Sequence, residues 1–390
     1  MLHCPDVVGG HAPQLARSER SVGLDSWSVS YSRGPFEYAC DEVLWKDTDS
    51  VMTKEVTRLK LLWRAATKFD VVHFNFGTSI CPSLFGAYAS ERGVARRILR
   101  TAYSRYAKLL AFRDLPLLRN LGKAIFVTYQ GDDARQADYC RAHFDTSPVD
   151  EVEATYYAAG SDETKREGIA RFDRYADQIY SLNPDLLHVL PERAQFLPYA
   201  HVDPREWTPT GTSTTSARPL VVHAPSHRGV KGTRFIVDAV NRLRADGVAF
   251  DFQLVEGLPR AEARRIYERA DLVVDQLIVG WYGGLAVEAM ALGKPVIAFL
   301  RAADLLFVAP EMRKELPVIQ ATPQTIFEVL KQWLTVRRRD LPDVGARSRR
   351  FMECWHDPVL IARRTKTDYE RALLKRRGPG ISGKSGWPAS

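Results

Sequence analysis

Cysteine is scarce and scattered: Cys4, Cys40, Cys81, Cys140 and Cys354 stand far apart, with no metal-ligand spacing among them. An odd, dispersed set argues against a disulfide frame or a cysteine zinc site and fits reduced thiols in a cytoplasm. Long apolar runs are lacking too. None approaches the roughly 18 to 20 residues that a membrane-spanning helix needs. The glycine-bearing segment Val7-Val8-Gly9-Gly10-His11 lacks the Gly-x-Gly-x-x-Gly spacing, which argues against an NAD or FAD site. No internal repeat is present, and no nucleic-acid-binding motif accompanies the formal charge of +8, so nucleic acid is not an expected partner. No secretory leader is expected, because the chain opens on Leu2-His3-Cys4-Pro5, which reads as the tail of a first strand.

What is present is a globular composition, 45% hydrophobic, in 390 residues, too long for one ordinary core and suited to two domains. Short Val-, Ile- and Leu-rich strands alternate with helix-length segments, which is the sequence form of parallel βαβ units covered on both faces. In the first half the glycine loop 7–11 precedes a helix beginning near Leu15, and Ser26–Tyr31, Asp70–Phe76 and Ala124–Tyr129 read as strands. Open α/β sheets bind ligands beyond the carboxyl ends of their strands. That places Gln130, Asp132 and Asp133 at a cleft, where the two carboxylates either act on a substrate or cap a helix. His11 is a candidate cleft residue or a plain surface histidine. A Pro-, Thr-, Ser- and Gly-rich stretch over 204–219 reads as a linker, dividing 1–203 from 220–352. Residues 353–377 have the length and period of a closing helix, and 378–390 read as a disordered tail.

The densest signal lies in the second half. Leu220–Ser226 is a buried strand and turn, followed by the basic loop His227-Arg228-Gly229-Val230-Lys231-Gly232 and a helical pattern from Phe235. Phe250–Gly257 and Leu272–Leu277 are further strands, with Val255, Glu256 and Gly257 at the end of the first. Then comes Gly280-Trp281-Tyr282-Gly283-Gly284-Leu285-Ala286-Val287-Glu288-Ala289-Met290-Ala291-Leu292-Gly293-Lys294-Pro295-Val296-Ile297. A glycine loop entering an apolar helix brings backbone N–H groups and a positive dipole end to an anion, here at Gly283, Gly284 and Leu285. Glu288, a turn further on, is no phosphate ligand, and its expected partners are sugar hydroxyls.

This segment resembles the donor-site signature of the family 4 glycosyltransferases, retaining enzymes of the GT-B class, whose pattern runs Glu, seven residues, Glu, Ala-Met-Ala and a Gly-x-Pro-Val-Ile strand. Glu288, Ala289-Met290-Ala291, Gly293 and Pro295-Val296-Ile297 match; the first Glu falls on Gly280. The resemblance implies two Rossmann-like domains facing across a cleft, with the closing helix crossing back onto the first domain. It implies that Arg228 and Lys231 neutralise the donor diphosphate, that Glu288 anchors the ribose, and that Glu256 lies near the base. It places His11 near the acceptor, and Gln130 where relatives carry a histidine beside the reacting sugar. Asp275 either stands in for the missing Glu or is structural. The implied activity is transfer of a sugar from a nucleoside-diphosphate-sugar, the donor substrate, to a saccharide or lipid-linked acceptor, with no cofactor and no metal. A GT-B sugar-nucleotide epimerase or hydrolase and a non-catalytic sugar-nucleotide-binding protein are the alternatives.

The stretch Glu91–Lys123 is strongly basic, with Arg92, Arg96, Arg97, Arg100, Arg105, Lys108, Arg113, Arg119 and Lys123, and its apolar residues recur at helical spacing. It reads either as a core-packed helix with a charged outer face or as an attachment to an anionic membrane surface. The expected location is cytoplasmic, with the inner face of a membrane as a peripheral site.

Overall fold

The computed structural model describes residues 1–34, 38–82, 103–212 and 216–377. Its strands fall into two parallel sheets. The first runs in the order β3 (Glu42–Val43), β2 (Trp27–Ser30), β1 (Leu2–Cys4), β4 (Val71–Asn75), β5 (Ala124–Tyr129), β6 (Gln178–Ser181) and β7 (Gln195–Phe196). The second runs β12 (Ile319–Gln320), β11 (Val296–Ala298), β10 (Leu272–Val274), β8 (Leu220–His223) and β9 (Asp251–Leu254). Every pairing is parallel, so helices must cover both faces, and the central strands are accordingly buried on both sides: all five residues of β4 and all six of β5 are buried.

Both orders reverse once, and those switch points locate the cleft. In the first sheet the reversal lies between β1 and β4, so the loop 5–10 after β1 opens into a crevice before α1 (His11–Ser21). In the second it lies between β8 and β10. The loops after those two strands are the basic loop, which enters α7 (Arg228–Lys231) and α8 (Thr233–Ala245), and the Gly280–Gly284 loop, which enters α10 (Gly284–Ala291). Between them α9 (Arg260–Arg269) follows β9.

The closing helix α15 (Pro358–Arg377) crosses back and lies along α1. Its stripe Ile361, Ala362, Tyr369 and Ala372 packs against Leu15, Phe126, Tyr180 and Leu182. A buried polar knot fixes its register. Glu19 of α1 accepts from His3 Nε2 at 2.8 Å, Ser26 Oγ at 2.6 Å, Tyr369 Oη at 2.9 Å and Thr365 Oγ1 at 3.2 Å. A slip of α15 by one residue would take Tyr369 and Thr365, two of its four partners, from that buried carboxylate, at about 1–3 kcal/mol.

Two expectations change. The stretch 204–212 is no loose linker, because Trp207 is buried in the core of the second sheet and Thr210 N–H donates to the Leu292 carbonyl at 3.2 Å. The basic stretch is not one helix either. Residues 83–102 lie outside the described part, among them Arg92, Arg96, Arg97 and Arg100; a helix over 103–110 ends where Phe112 turns to φ +60°, before a separate helix Asp114–Asn120. Asp114 faces inward there, accepting the Ile80 N–H at 2.7 Å. The expected tail at 378–390 lies outside the described residues as well.

Candidate functional site

The N-terminus of α10 lies at the switch point of the second sheet. Ala286 N–H turns back to the Gly283 carbonyl at 3.2 Å, while the N–H groups of Gly284 and Leu285, first in the helix, have no intrahelical partner by geometry. Lys231 ends α7 beside them, its ammonium 2.5 Å from Gln276 Oε1 and 3.5 Å from Asp275 Oδ1. A Cβ added at Gly283 would lie 2.7 Å from that ammonium, so a larger residue there would push the tip of the lysine aside. A cation beside the positive end of a helix is unfavourable unless an anion joins it. The fully buried Asp275 carboxylate supplies one, and it also accepts the Gly283 N–H at 2.5 Å. The donor expected of Gly283 is therefore spent inside the protein. Asp275 is a structural carboxylate, and the amides of Gly284 and Leu285 remain as the unpaired donors of this helix end.

Glu288 is buried one turn into α10, and burial raises its carboxyl above the ordinary range, with Arg260 only partly offsetting this. The Arg260 guanidinium lies 3.3 Å from Glu288 Oε1 and 4.7 Å from the ring centre of Tyr38, which comes from the first sheet's side. Arg228 and Glu256 pair at the mouth of the same crevice, Nε to Oε1 at 2.8 Å, and this hydrogen bond holds the Glu256 carboxyl below its usual range. The sequence candidates Arg228, Lys231, Glu256, Gly284, Leu285 and Glu288 thus all lie around the switch point of the second sheet.

Gly280, where the pattern carries its first Glu, adopts φ +99°, and the space where its side chain would start is taken. An added Cβ would collide with Asp304 Oδ2 and come 2.5 Å from Arg301 Nη1. Those two residues form a buried ion pair at 2.6 Å, and His188 of the first domain's side lies 2.9 Å from Asp304 Oδ1. Burial pushes the Asp304 carboxyl up to about 7, with Asp185 adding to the rise. Arg301 also donates to the Thr146 carbonyl at 2.7 Å and stacks 3.7 Å from the ring centre of Phe144, so the same cluster ties the two halves together.

The first half contributes less freely than expected. Asp132 is no spare base: it accepts from Arg135 Nη1 at 2.7 Å, Tyr156 Oη at 2.6 Å and Tyr157 Oη at 2.8 Å. Burial opposes its ionisation, but those partners outweigh it and hold the carboxyl below its ordinary range. Asp133 closes the turn, accepting the Gly131 N–H at 2.7 Å and the Gln130 N–H at 3.0 Å, and burial raises it to about 7. Gln130 does reach the glycine loop, its Oε1 lying 3.9 Å from a Cβ added at Gly9. His11 is neither in the loop nor on the surface. It is the first residue of α1, 2% exposed, and burial pushes it down to about 3.

Two contributors lacked a sequence signal. The stretch after Pro148 seals the basic loop: Glu151 binds the Arg234 guanidinium, its carbonyl oxygen packs on Gly229, and the Tyr156 ring lies 4.8 Å from that of His227. His201, just before the linker, reaches the Gly284 carbonyl with Nε2 at 3.2 Å. Two surface hollows, at Pro310–Lys314 and between Ser21 and Glu370, lie away from this cleft. Among the described residues no His, Cys, Asp and Glu cluster has the makings of a metal site, and no helix is long and apolar enough to cross a membrane.

A scan against protein-family models gives no match, and neither does a search of curated protein sequences. Solved structures do match in fold. Sucrose-phosphate synthase from Thermosynechococcus elongatus superposes with a TM-score of 0.57 at 13% identity, covering 96% of this chain and 98% of that one. HepE from Anabaena, solved with UDP-glucose, gives a TM-score of 0.54 at 10% identity, covering 95% and 99%. A glycosyltransferase from Rickettsia africae ESF-5 gives a TM-score of 0.50 at 11% identity, covering 95% and 97%. The fold is that of the GT-B class: two Rossmann-like domains facing across a cleft, with the last helix returning to the first.

Proposed function

We propose that this chain is a nucleotide-sugar glycosyltransferase, related to family 4, that moves a sugar with retention from a nucleoside-diphosphate-sugar to a saccharide or lipid-linked acceptor in polysaccharide or glycolipid assembly. The observation that carries the reading is the convergence of Lys231, the Gly284 and Leu285 amides and buried Glu288 on one end of α10. That end offers a fixed cation and helix amides to a diphosphate and, a turn away, a carboxylate to a ribose. HepE and sucrose-phosphate synthase share the architecture, and HepE was solved holding UDP-glucose.

In this reading the donor's C1–O bond breaks and its electron pair leaves with the diphosphate, whose growing charge Lys231 and α10 stabilise without a metal. The acceptor oxygen bonds C1 on the same face, and its proton passes to the departing phosphate oxygen, so the engagement of Asp132 with Arg135 and two tyrosines does not block turnover. The proposed location is cytoplasmic, at the inner face of a membrane. Supporting it is α2 (Val51–Lys68), which exposes Met52, Val56, Leu59 and Trp63 on one stripe among Lys54, Lys60 and Lys68. The test of the donor site is Glu288→Ala. Loss of charge-assisted bonds to the ribose is expected to weaken nucleoside diphosphate binding roughly 10- to 100-fold by calorimetry, and unchanged affinity removes Glu288 from the site.

A further inference from the structure

His11 and His201 stand together where the loop after β1 meets α10: His201 Cβ is 3.2 Å from a Cβ added at Gly10, and its ring reaches Gly284. Both are buried, at 2% and 6% exposure. The Ala200 N–H donates to His11 Nδ1 at 3.0 Å. An amide N–H can only donate, so Nδ1 holds the lone pair and the ring hydrogen sits on Nε2. His201 Nε2 faces a carbonyl, which can only accept, so there too Nε2 carries the hydrogen and Nδ1 keeps its lone pair. Neither His11 Nε2 nor His201 Nδ1 has a partner. The backbone therefore fixes both tautomers and leaves one donor and one acceptor unmet, both shut off from solvent, on neighbouring residues beside the end of α10. Burial keeps both rings neutral, pushing each down to about 3. A buried polar atom without a partner is a standing cost that a ligand relieves.

We propose that His11 and His201 are a neutral donor–acceptor pair that grips the sugar ring of the donor, one hydroxyl accepting from His11 Nε2 and another donating to His201 Nδ1. This rests on the nucleotide-sugar reading above. A diphosphate cannot be the partner of His201, since its oxygens offer only lone pairs, whereas a hydroxyl both donates and accepts. The charged half of the donor falls to Lys231 and the α10 amides. The pair also accounts for Gly280: the carboxylate that the resemblance assigns to the sugar is missing from the second domain, where Arg301 and Asp304 fill its space, and the sugar is held from the first domain instead.

The test uses the full chain and titration calorimetry with UDP, ADP and GDP, each beside its glucose conjugate. His201→Phe keeps the ring and removes the acceptor; His201→Asn retains an acceptor oxygen near the place of Nδ1. In the series that binds, His201→Phe is expected to weaken the conjugate about five- to tenfold and to leave the free diphosphate within about twofold, with His201→Asn recovering part of the loss. Equal loss for both ligands, or none for the conjugate, overturns the pair. Nitrogen-15 imidazole spectra of the unmutated protein give a reading independent of folding. Both rings are expected as Nε2–H tautomers, with the His201 Nδ1 signal moving on addition of the conjugate and not of the diphosphate; an Nδ1–H tautomer at either ring overturns the assignment. Failure of all three nucleotide series to bind the unmutated chain defeats the nucleotide-sugar reading itself and the pair with it, an outcome distinct from binding without the split.

Discussion

Gly280→Ala should destabilise the second domain although it adds a single carbon. The backbone there holds φ +99°, outside the wells open to an alanine, at a cost of about 1–3 kcal/mol. The new Cβ also lands on the Arg301–Asp304 pair, 2.5 Å from Arg301 Nη1. Arg301 is long enough to yield, but yielding loosens its bond to Thr146 and uncovers Asp304, whose side chain is fully buried. Complete loss of one partner of such a pair costs about 3–5 kcal/mol; a displacement forfeits a fraction of it. The sum is a loss of about 2–4 kcal/mol, or a fall of about 1 M or more in the urea midpoint of the transition that reports the second domain. Placing the acid of the resembled pattern there as Gly280→Glu is expected to do no better. Arg301→Ala in the Gly280→Ala background separates the two causes, because the double variant should lose less than the sum of the single ones. A Gly280→Ala protein within about 0.5 kcal/mol of the parent would refute the reasoning.

Two further outcomes follow from the charges. Five imidazoles, His11, His73, His201, His223 and His356, are held neutral by burial, with folded values near 3 for His11 and His201, near 4 for His223 and His356, and well below the usual range for His73. The unfolded chain takes up protons on them below about 6.5 and the folded chain does not, so stability falls with falling pH there. Asp133 and Asp304, raised to about 7, act in the opposite sense, being protonated in the fold and ionised in the unfolded chain. Glu288, Asp6 and Asp114, also raised by burial, add to that opposition, and His188, lowered by burial, adds to the imidazoles; the net expectation is a loss on the order of 1–3 kcal/mol per pH unit between pH 6.5 and 5.5, and urea midpoints that hold level or rise over that window contradict it. The α2 stripe should bind anionic vesicles at low salt and release them as salt rises, with Trp63→Ser and Leu59→Ser together removing the binding; sedimentation that leaves the protein in the supernatant at low salt removes the membrane from the account.

How much of this was legible in the sequence depended on range along the chain. The run from Leu220 to Ile297 was readable because each of its signals is local: an apolar strand, a basic or glycine loop, and a helix whose first turn carries unpaired amides. Strand β5 and the closing helix were readable for the same reason, from continuous or periodic burial. What could not be read was how distant segments consume one another's groups. Asp132 looks like a free acid until Tyr156 and Tyr157 fold over it. Gly283 looks like a phosphate donor until Asp275, eight residues earlier, takes its N–H. The vacancy at Gly280 is explained only by Arg301 and Asp304, which arrive from the next βα unit. His201 had no motif around it, and its meaning comes from a carbonyl 83 residues away.

The most direct test of the central claim is a thermal-shift panel of nucleoside diphosphates and their sugar conjugates on the unmutated chain, since a ligand that binds only the folded state raises its melting temperature by mass action. The account predicts a clear rise with one nucleotide series, absent or much reduced in Glu288→Ala. A flat response across the whole panel, at concentrations that would saturate a micromolar site, would contradict a nucleotide-sugar site at the end of α10.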